Sequence, residues 1–265
     1  MSRFSGRVAF ITGGGTGIGA AVAQQFVDEG GKVLLMGRRA ELLQAVAAPL
    51  GDAASVFAGD AAAAADVRAA LAQASAAFGG VDVLVANAGG HGLGSLTETD
   101  DAAWALATRV NLDTAFVCMR EAMPKLVARR GNVVVLSSLA GHFAGPAVAG
   151  YVTMKHALIG LTRSVARDYG RLGVRVNAVC PGWVRTPMAD EQMQVLVEKF
   201  ALKDVDAAYA MVTRDVPLAR AATAQEVADA VLFLASPQAA MITGTSLMVD
   251  GGASAVDLPT LAFAS

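Results

Sequence analysis

Val8-Ala-Phe-Ile11-Thr12-Gly13-Gly14-Gly15-Thr16-Gly17-Ile18-Gly19-Ala20 decides how the rest of the chain is read. Val8 to Ile11 is a short continuous apolar run, the pattern of a strand buried on both faces. From Ala20 to Glu29 apolar residues return at helical spacing, and Gly30-Gly31 stops them. Between the two lies a glycine-rich turn of the form Thr-Gly-x-x-x-Gly-x-Gly. Glycine lets the backbone turn tightly and approach a pyrophosphate, and the following helix start offers N–H donors and a positive dipole. The spacing departs from the strict Gly-x-Gly-x-x-Gly fingerprint. Its strand–turn–helix setting nevertheless points to a nucleotide, with Gly13, Gly15, Thr16, Gly17, Ile18 and Gly19 as the contacting residues.

The same alternation runs outward from this stretch. Strands are expected at Lys32–Met36, Ser55–Phe57, Val81–Ala86, Val133–Leu136, Val174–Val179 and Thr245–Val249. Helices are expected over Arg39–Leu50, Ala61–Phe78, Tyr151–Gly170 and Ala224–Ala235, with one long or two stacked helices over Asp101–Arg129. Pro181-Gly182 opens a stretch expected to be irregular to about Val216. Strand and helix alternate without a linker or an internal repeat, which predicts an α/β fold: a single doubly wound, Rossmann-type domain over residues 1–265, with about seven parallel strands.

The bulk properties agree. The chain has 265 residues, 54% of them apolar, which suits a parallel sheet covered on both faces. A formal charge of −2 gives no footprint for nucleic acid or a membrane surface. No apolar stretch reaches the roughly 18 residues of a spanning helix, and the strand at Val8 leaves no room for a signal peptide, so the expected location is cytoplasmic. Cys118 and Cys180 read as buried free thiols, and His91, His142 and His156 show no metal-ligand spacing.

In a doubly wound sheet ligands gather where the strands end. Arg38 and Arg39 follow the second strand. An acidic residue there would accept from a ribose 2′-OH; the guanidinium of Arg38 suits a 2′-phosphate instead, so NADP is favoured over NAD. Asp60, followed by Ala61, either accepts from an adenine amino group or caps a helix starting near Ala61. Asn87-Ala88-Gly89 packs small residues where a cofactor would lie. Asn111, among apolar neighbours, either holds a water or caps a kinked backbone. Pro181, Gly182, Val184 and Thr186 leave the sixth strand, where Thr186 can bond a carboxamide or phosphate. Ser138 ends the fifth strand, and Tyr151 and Lys155 sit four apart on one helix face. An ammonium beside a phenol favours the phenolate, and a serine hydroxyl can hold a substrate oxygen next to it.

Taken together, these residues resemble the short-chain dehydrogenase/reductase family, from Val8 to Gly252. The resemblance is carried by Thr12–Gly19, Asp60, Asn87-Ala88-Gly89, Asn111, Ser138, Tyr151 with Lys155, Pro181-Gly182 and Val249-Asp-Gly-Gly252. It implies that Tyr151 is the general acid/base and that Lys155 supports it and binds the nicotinamide ribose. It also implies that Ser138 holds the substrate oxygen, that Asn111 holds a relay water, and that the protein is a homotetramer built partly from the Tyr151 helix and the last strand. Ala86 and Met154 depart from the family pattern at positions without a catalytic role.

The expected reaction interconverts a ketone and a secondary alcohol. Substrate contacts are expected from Ser138, Leu139, Phe143, Val148, Tyr151 and Met188, with Leu93, Met193, Phe200, Tyr209 and Met211 as further apolar walls. The segment from about 188 to 216 would cover the site; its helical spacing also allows it to pack on the body. His91 and His142 are expected to be surface loop residues. Two alternatives stand beside this reading. One is a 3-oxoacyl-[acyl-carrier-protein] reductase, needing a basic rim that Arg129 and Arg130 do not establish. The other is a non-catalytic NADP-binding regulator.

Overall fold

The computed structural model describes residues 2–263. Seven of its strands are β1 (Val8–Thr12), β2 (Lys32–Gly37), β3 (Ala54–Ala58), β4 (Val83–Ala86), β5 (Asn132–Leu136), β6 (Arg175–Pro181) and β9 (Ser246–Val249). They form one parallel sheet in the order β3-β2-β1-β4-β5-β6-β9. A separate two-stranded pair joins β7 (Val184–Arg185) to β8 (Ala222–Thr223). The order reverses between β1 and β4, so the chain runs outward in both directions from a central crevice.

Successive side chains on each strand feed opposite layers, as the period of two requires. Phe10, Leu34, Met36, Leu84, Val133 and Val135 pack with α3 (Ala64–Phe78), α5 (Thr114–Arg129) and α6 (Ala149–Tyr169). Ala9, Ile11, Val33, Leu35, Val85, Val134 and Leu136 pack with α1 (Gly17–Asp28), α2 (Ala40–Ala47) and α9 (Ala224–Ala235). The central strands are therefore apolar over most of their length, which is why the sequence shows runs rather than alternation.

The Asp101–Arg129 segment takes the second of its two expected forms: two helices, α4 (Asp101–Thr108) and α5, joined through a π-helical turn at Arg109–Asp113. Two expectations are corrected. The stretch expected to be irregular after Pro181 holds α7 (Pro187–Phe200) and α8 (Val205–Val212), which share a small core of Ala189, Met193, Ala208, Tyr209 and Ala221. The helix expected from Ala61 begins at Ala64.

At the amino ends of the strands a carboxylate ties three segments together. Asp82 is buried; it accepts from the Val8 N–H at 3.0 Å, from Arg7 Nη1 at 2.9 Å and from Arg129 Nη1 at 3.3 Å. Its carbonyl accepts from Asn132 N at 2.9 Å, and a side chain at Gly131 would collide with that carbonyl. Asp82→Ala leaves the Val8 N–H unsatisfied and frees two guanidiniums, and is expected to cost about 2 kcal/mol of stability. A urea transition whose midpoint stays unmoved at constant slope would count against this knot.

Candidate active site

The glycine turn leaves β1 and enters α1 with nothing capping the helix. Thr16, at the N-cap, makes no side-chain cap bond, and the first turn holds no acidic residue. The leading N–H groups are thus left for an outside acceptor. The turn is held from β4. Thr12 Oγ1 accepts from the N–H groups of Asn87 and Ala88, both at 3.1 Å, and Asn87 Nδ2 donates to the carbonyls of Thr12 at 2.9 Å and Gly13 at 3.2 Å. A Cβ at Gly19 would stand 2.7 Å from Asn87 Nδ2 and against the Gly13 carbonyl, so the close approach requires glycine. Gly13 and Gly17 take φ of +64° and +55°. On the far side the Thr186 methyl lies 3.0 Å from where a Gly17 Cβ would be. An uncapped helix start, a bare glycine backbone and two facing walls fit the pyrophosphate of a dinucleotide.

At the adenosine end, Arg38 and Arg39 are exposed beyond β2. Asp60 Oδ1 accepts from Ala62 N at 2.9 Å, closing the turn before α3 rather than capping the helix itself. Its other oxygen takes Arg109 Nη2 at 2.6 Å, a partner 49 residues away that no motif in the chain announces. Burial raises the Asp60 carboxyl, but the Ala62 N–H and the Arg109 and Arg38 charges more than offset that and hold it below its usual range. Ala61 is buried in the core, so only its backbone is left to a ligand.

The chemical residues meet across β5 and α6. Lys155 is buried, 4% exposed; its Nζ donates to the Leu136 carbonyl at 2.9 Å and stands 5.5 Å from the centre of the Tyr151 ring. Ser137 Oγ donates to the Lys155 carbonyl at 2.9 Å, so the helix is pinned to the strand end at both atoms of that residue. Ser138 Oγ accepts from Ala140 N at 3.1 Å, which leaves its own proton free to donate. Tyr151 is held from the other side by its backbone N–H, which donates to the Gly92 carbonyl at 3.0 Å.

Asn111 is fully buried in the π-helical turn. Its Nδ2 donates to the Gly90 carbonyl at 2.6 Å and the Ala107 carbonyl at 2.9 Å, and its Oδ1 accepts from Gly90 N at 2.9 Å. It therefore clamps the loop after β4 to the kink. The same Oδ1 lies 3.2 Å, and Lys155 Nζ 3.4 Å, from where a Gly89 Cβ would stand. Gly89 is what lets Asn111 and Lys155 approach one another.

Ser138 and Tyr151 open into a cavity of about 520 Å³. Leu139, Phe143, Val148 and Met188 line it, as do Pro181, Gly182, Val184, Thr186 and Ile18 from the cofactor side. His91, Trp183 and Gln192 line it too. His91 is exposed in the loop after β4, as expected, and also borders the cavity; Trp183 and Gln192 carry no motif by which the chain could mark them. Two expected walls are corrected: Met193 and Tyr209 are 0% and 2% exposed, inside the core of the α7–α8 pair. Phe200 and Met211 point to solvent, 50% and 42% exposed, because they lie on the outer faces of the same helices. Tyr209 instead ties α8 to α7. Its hydroxyl donates to Asp190 Oδ1 at 2.8 Å, and the Arg185 guanidinium lies 4.3 Å over its ring. Burial, then the Asp190 carboxylate, pushes the Tyr209 phenol well above its ordinary value.

The thiols take no part: burial pushes Cys118 up to about 12 and Cys180 up to about 11. Among the described residues no group of three or more His, Cys, Asp or Glu side chains is placed to hold a metal, and no helix is long and apolar enough to cross a membrane.

Comparison with known proteins places this arrangement. The sequence model of the family described as Enoyl-(Acyl carrier protein) reductase matches residues 13–254. The chain is 48% identical to Protein MoaE of Klebsiella aerogenes, over 97% of this chain and 99% of that protein. It is 38% identical to 2-(S)-hydroxypropyl-CoM dehydrogenase 3 of Xanthobacter autotrophicus, over 96% and 99%. The structure of a single-residue variant of actinorhodin polyketide ketoreductase with NADPH superposes with a TM-score of 0.87 at 32% identity, covering 93% of this chain and 96% of that one. With the glycine turn, the parallel sheet and the Ser138–Tyr151–Lys155 grouping on the same chain, the protein belongs to the short-chain dehydrogenase/reductase family of nicotinamide-dependent oxidoreductases.

Proposed function

We propose that this chain is an NADP-dependent oxidoreductase that interconverts a ketone and a secondary alcohol on a largely apolar substrate. The observation that carries the reading is that Tyr151 and Ser138 line one mostly apolar cavity while the buried Lys155 ammonium stands behind the phenol. Gly13–Gly19, Asn87–Gly89 and Pro181–Thr186 would hold the dinucleotide, which would supply the hydride chemistry when bound. Ser138 donates its free proton to the substrate oxygen and fixes the carbon beside it. Tyr151 gives its proton to that oxygen in reduction and takes one from it in oxidation. Lys155, anchored on Leu136, stays placed beside the phenol in both directions. Asn111 acts by holding the Gly90–His91 backbone against the site, and a relay water is assigned to the space it shares with Lys155.

NADP rests on Arg38 and Arg39, exposed at the end of β2, where Gly37-Arg38-Arg39 places no acidic residue to take a ribose hydroxyl. A homotetramer rests on the family resemblance, which builds it partly from α6 and β9, and on the exposed apolar side chains Trp104, Phe116 and Phe233 on α4, α5 and α9. The carrier-protein reading lacks its basic rim. Arg129 is bonded to Asp82, and Arg130 follows it at the amino ends of the strands, the edge opposite the cavity.

The first test is a screen of ketones and secondary alcohols with each nicotinamide cofactor, read by absorbance of the reduced ring. Tyr151→Phe is expected to lower kcat about a thousandfold while cofactor affinity stays within error. Turnover near that of the parent would remove Tyr151 from its role, and cofactor binding without turnover of anything screened would favour the regulator. Arg38→Asp is expected to shift the kcat/KM ratio from NADPH toward NADH by at least about tenfold, since a charge-assisted contact to the 2′-phosphate becomes a repulsion. A ratio that does not move would show that another group reads that end of the cofactor.

A further inference from the structure

The turn that carries Asp60 is fixed at the adenosine end of the crevice. Gly59 N donates to the Gly37 carbonyl at 2.9 Å, which sets the turn beside the end of β2 and Arg38. Asp60 N donates to Asp66 Oδ2 at 2.8 Å, and Ala63 N to the Asp60 carbonyl at 2.9 Å, so the backbone is tied on both sides of the side chain. Ala62 N donates to Asp60 Oδ1 and Arg109 Nη2 to Oδ2. A carboxylate offers about four lone-pair sites, and these two bonds leave one free on each oxygen. The Asp60 side chain is 34% exposed, so those sites are open to a ligand.

Arg109 reaches this carboxylate from a different element. It opens the π-helical turn, where Thr114 N donates to its carbonyl. The same turn carries Asn111, which is clamped to Gly90 and Ala107. The guanidinium therefore comes to Asp60 from a backbone that is itself held, across 49 residues. With the Arg109 side chain 53% exposed, the pair adds little to stability. Its effect is on orientation and charge. Without Arg109 the Ala62 N–H alone would set the plane of the carboxylate; with it both oxygens are placed. The Ala62 N–H and Arg109 together also offset the effect of burial and keep the group an ionised acceptor.

We propose that Arg109 is a positioning residue for the cofactor, holding the Asp60 carboxylate in the orientation that accepts from the amino group of the adenine. Arg109 acts through Asp60 and touches no part of the base, and the inference rests on the dinucleotide reading given above. Its consequence is a choice between bases. A purine with an amino group at C6 meets the oriented carboxylate with a donor, whereas one with a carbonyl at C6 sets an acceptor against an acceptor. A carboxylate released from Arg109 can turn away from either base, and the choice between them weakens.

Binding of NADPH, and of its analogue with hypoxanthine in place of adenine, tests this on the full chain without any substrate, read by fluorescence of the reduced nicotinamide. The parent is expected to bind NADPH about tenfold more tightly than the analogue, as one charge-assisted hydrogen bond implies. Arg109→Met, which keeps the length of the stem and removes the guanidinium, is expected to lower that ratio to about twofold. Arg109→Gln supplies the same reading on a polar side chain. Asp60→Asn is expected to lower the ratio as well, and adding Arg109→Met to it to lower the ratio no further. Loss of a positive charge that acted on the phosphates, or a general loosening of the fold, would weaken both ligands alike and leave the ratio where it was. A parent that binds the two ligands equally, a ratio unchanged in both Arg109 variants, or a further fall in the double variant would each overturn the proposal while leaving the cofactor reading intact. If neither ligand binds the parent, the dinucleotide reading falls and this inference with it.

Discussion

One buried ammonium organises the site. Lys155 is almost wholly removed from water, and an ammonium in such a place must find acceptors. The protein supplies one, the Leu136 carbonyl at the end of β5. That bond crosses from helix to strand, and the Ser137 hydroxyl reinforces it by donating back to the Lys155 carbonyl. Tyr151 lies one turn earlier on the same helix, so its position relative to Ser138 follows from the same two bonds. The remaining protons of the ammonium face Gly89 and Tyr151, the side on which a ligand would lie. A site of this kind is held by strand ends and one helix rather than by loops, which is how small errors in placement are avoided.

Around that fixed centre the crevice walls are joined to one another by side chains with few alternatives. Thr12 and Asn87 bind β1 to β4 where the sheet order reverses, and Asn111 binds the next loop to a π-helical turn. The turn breaks the regular ladder of the helix, and that freed backbone is what Asn111 Nδ2 meets at Ala107. The α7–α8 unit is built differently. α7 and α8 have their own small core and are fastened by the β7–β8 pair, the Tyr209–Asp190 bond and the Arg185 stack. The inner face of this unit, Met188 and Gln192, is presented to the cavity.

The two edges of the sheet have been given opposite characters by the same topology. At the carboxyl ends the α1 helix start is left uncapped and bare glycine backbone is exposed. At the amino ends the chain gathers guanidiniums around Asp82 and Asn132. Asp82 satisfies part of that charge and serves the fold.

The chain alone determined the strand–helix alternation, the glycine turn and the places where strands end, because these rest on short-range periodicity and on backbone conformations that only glycine adopts freely. It also put Ser138, Tyr151 and Lys155 in reach of each other, since a helix face and a strand exit are local features. Tertiary structure decided the rest. Tyr209 and Met193 have the spacing of a cavity wall, yet they turn into the α7–α8 core, because an amphipathic face does not say which neighbour it will meet. Arg109 reaches Asp60, and Arg175 and Asn132 share a cleft at the amino ends of the strands, across separations of tens of residues that no local pattern encodes. Those pairings follow from the register of the parallel strands, which is set by packing two helical layers at once and so belongs to the folded molecule rather than to any stretch of its sequence.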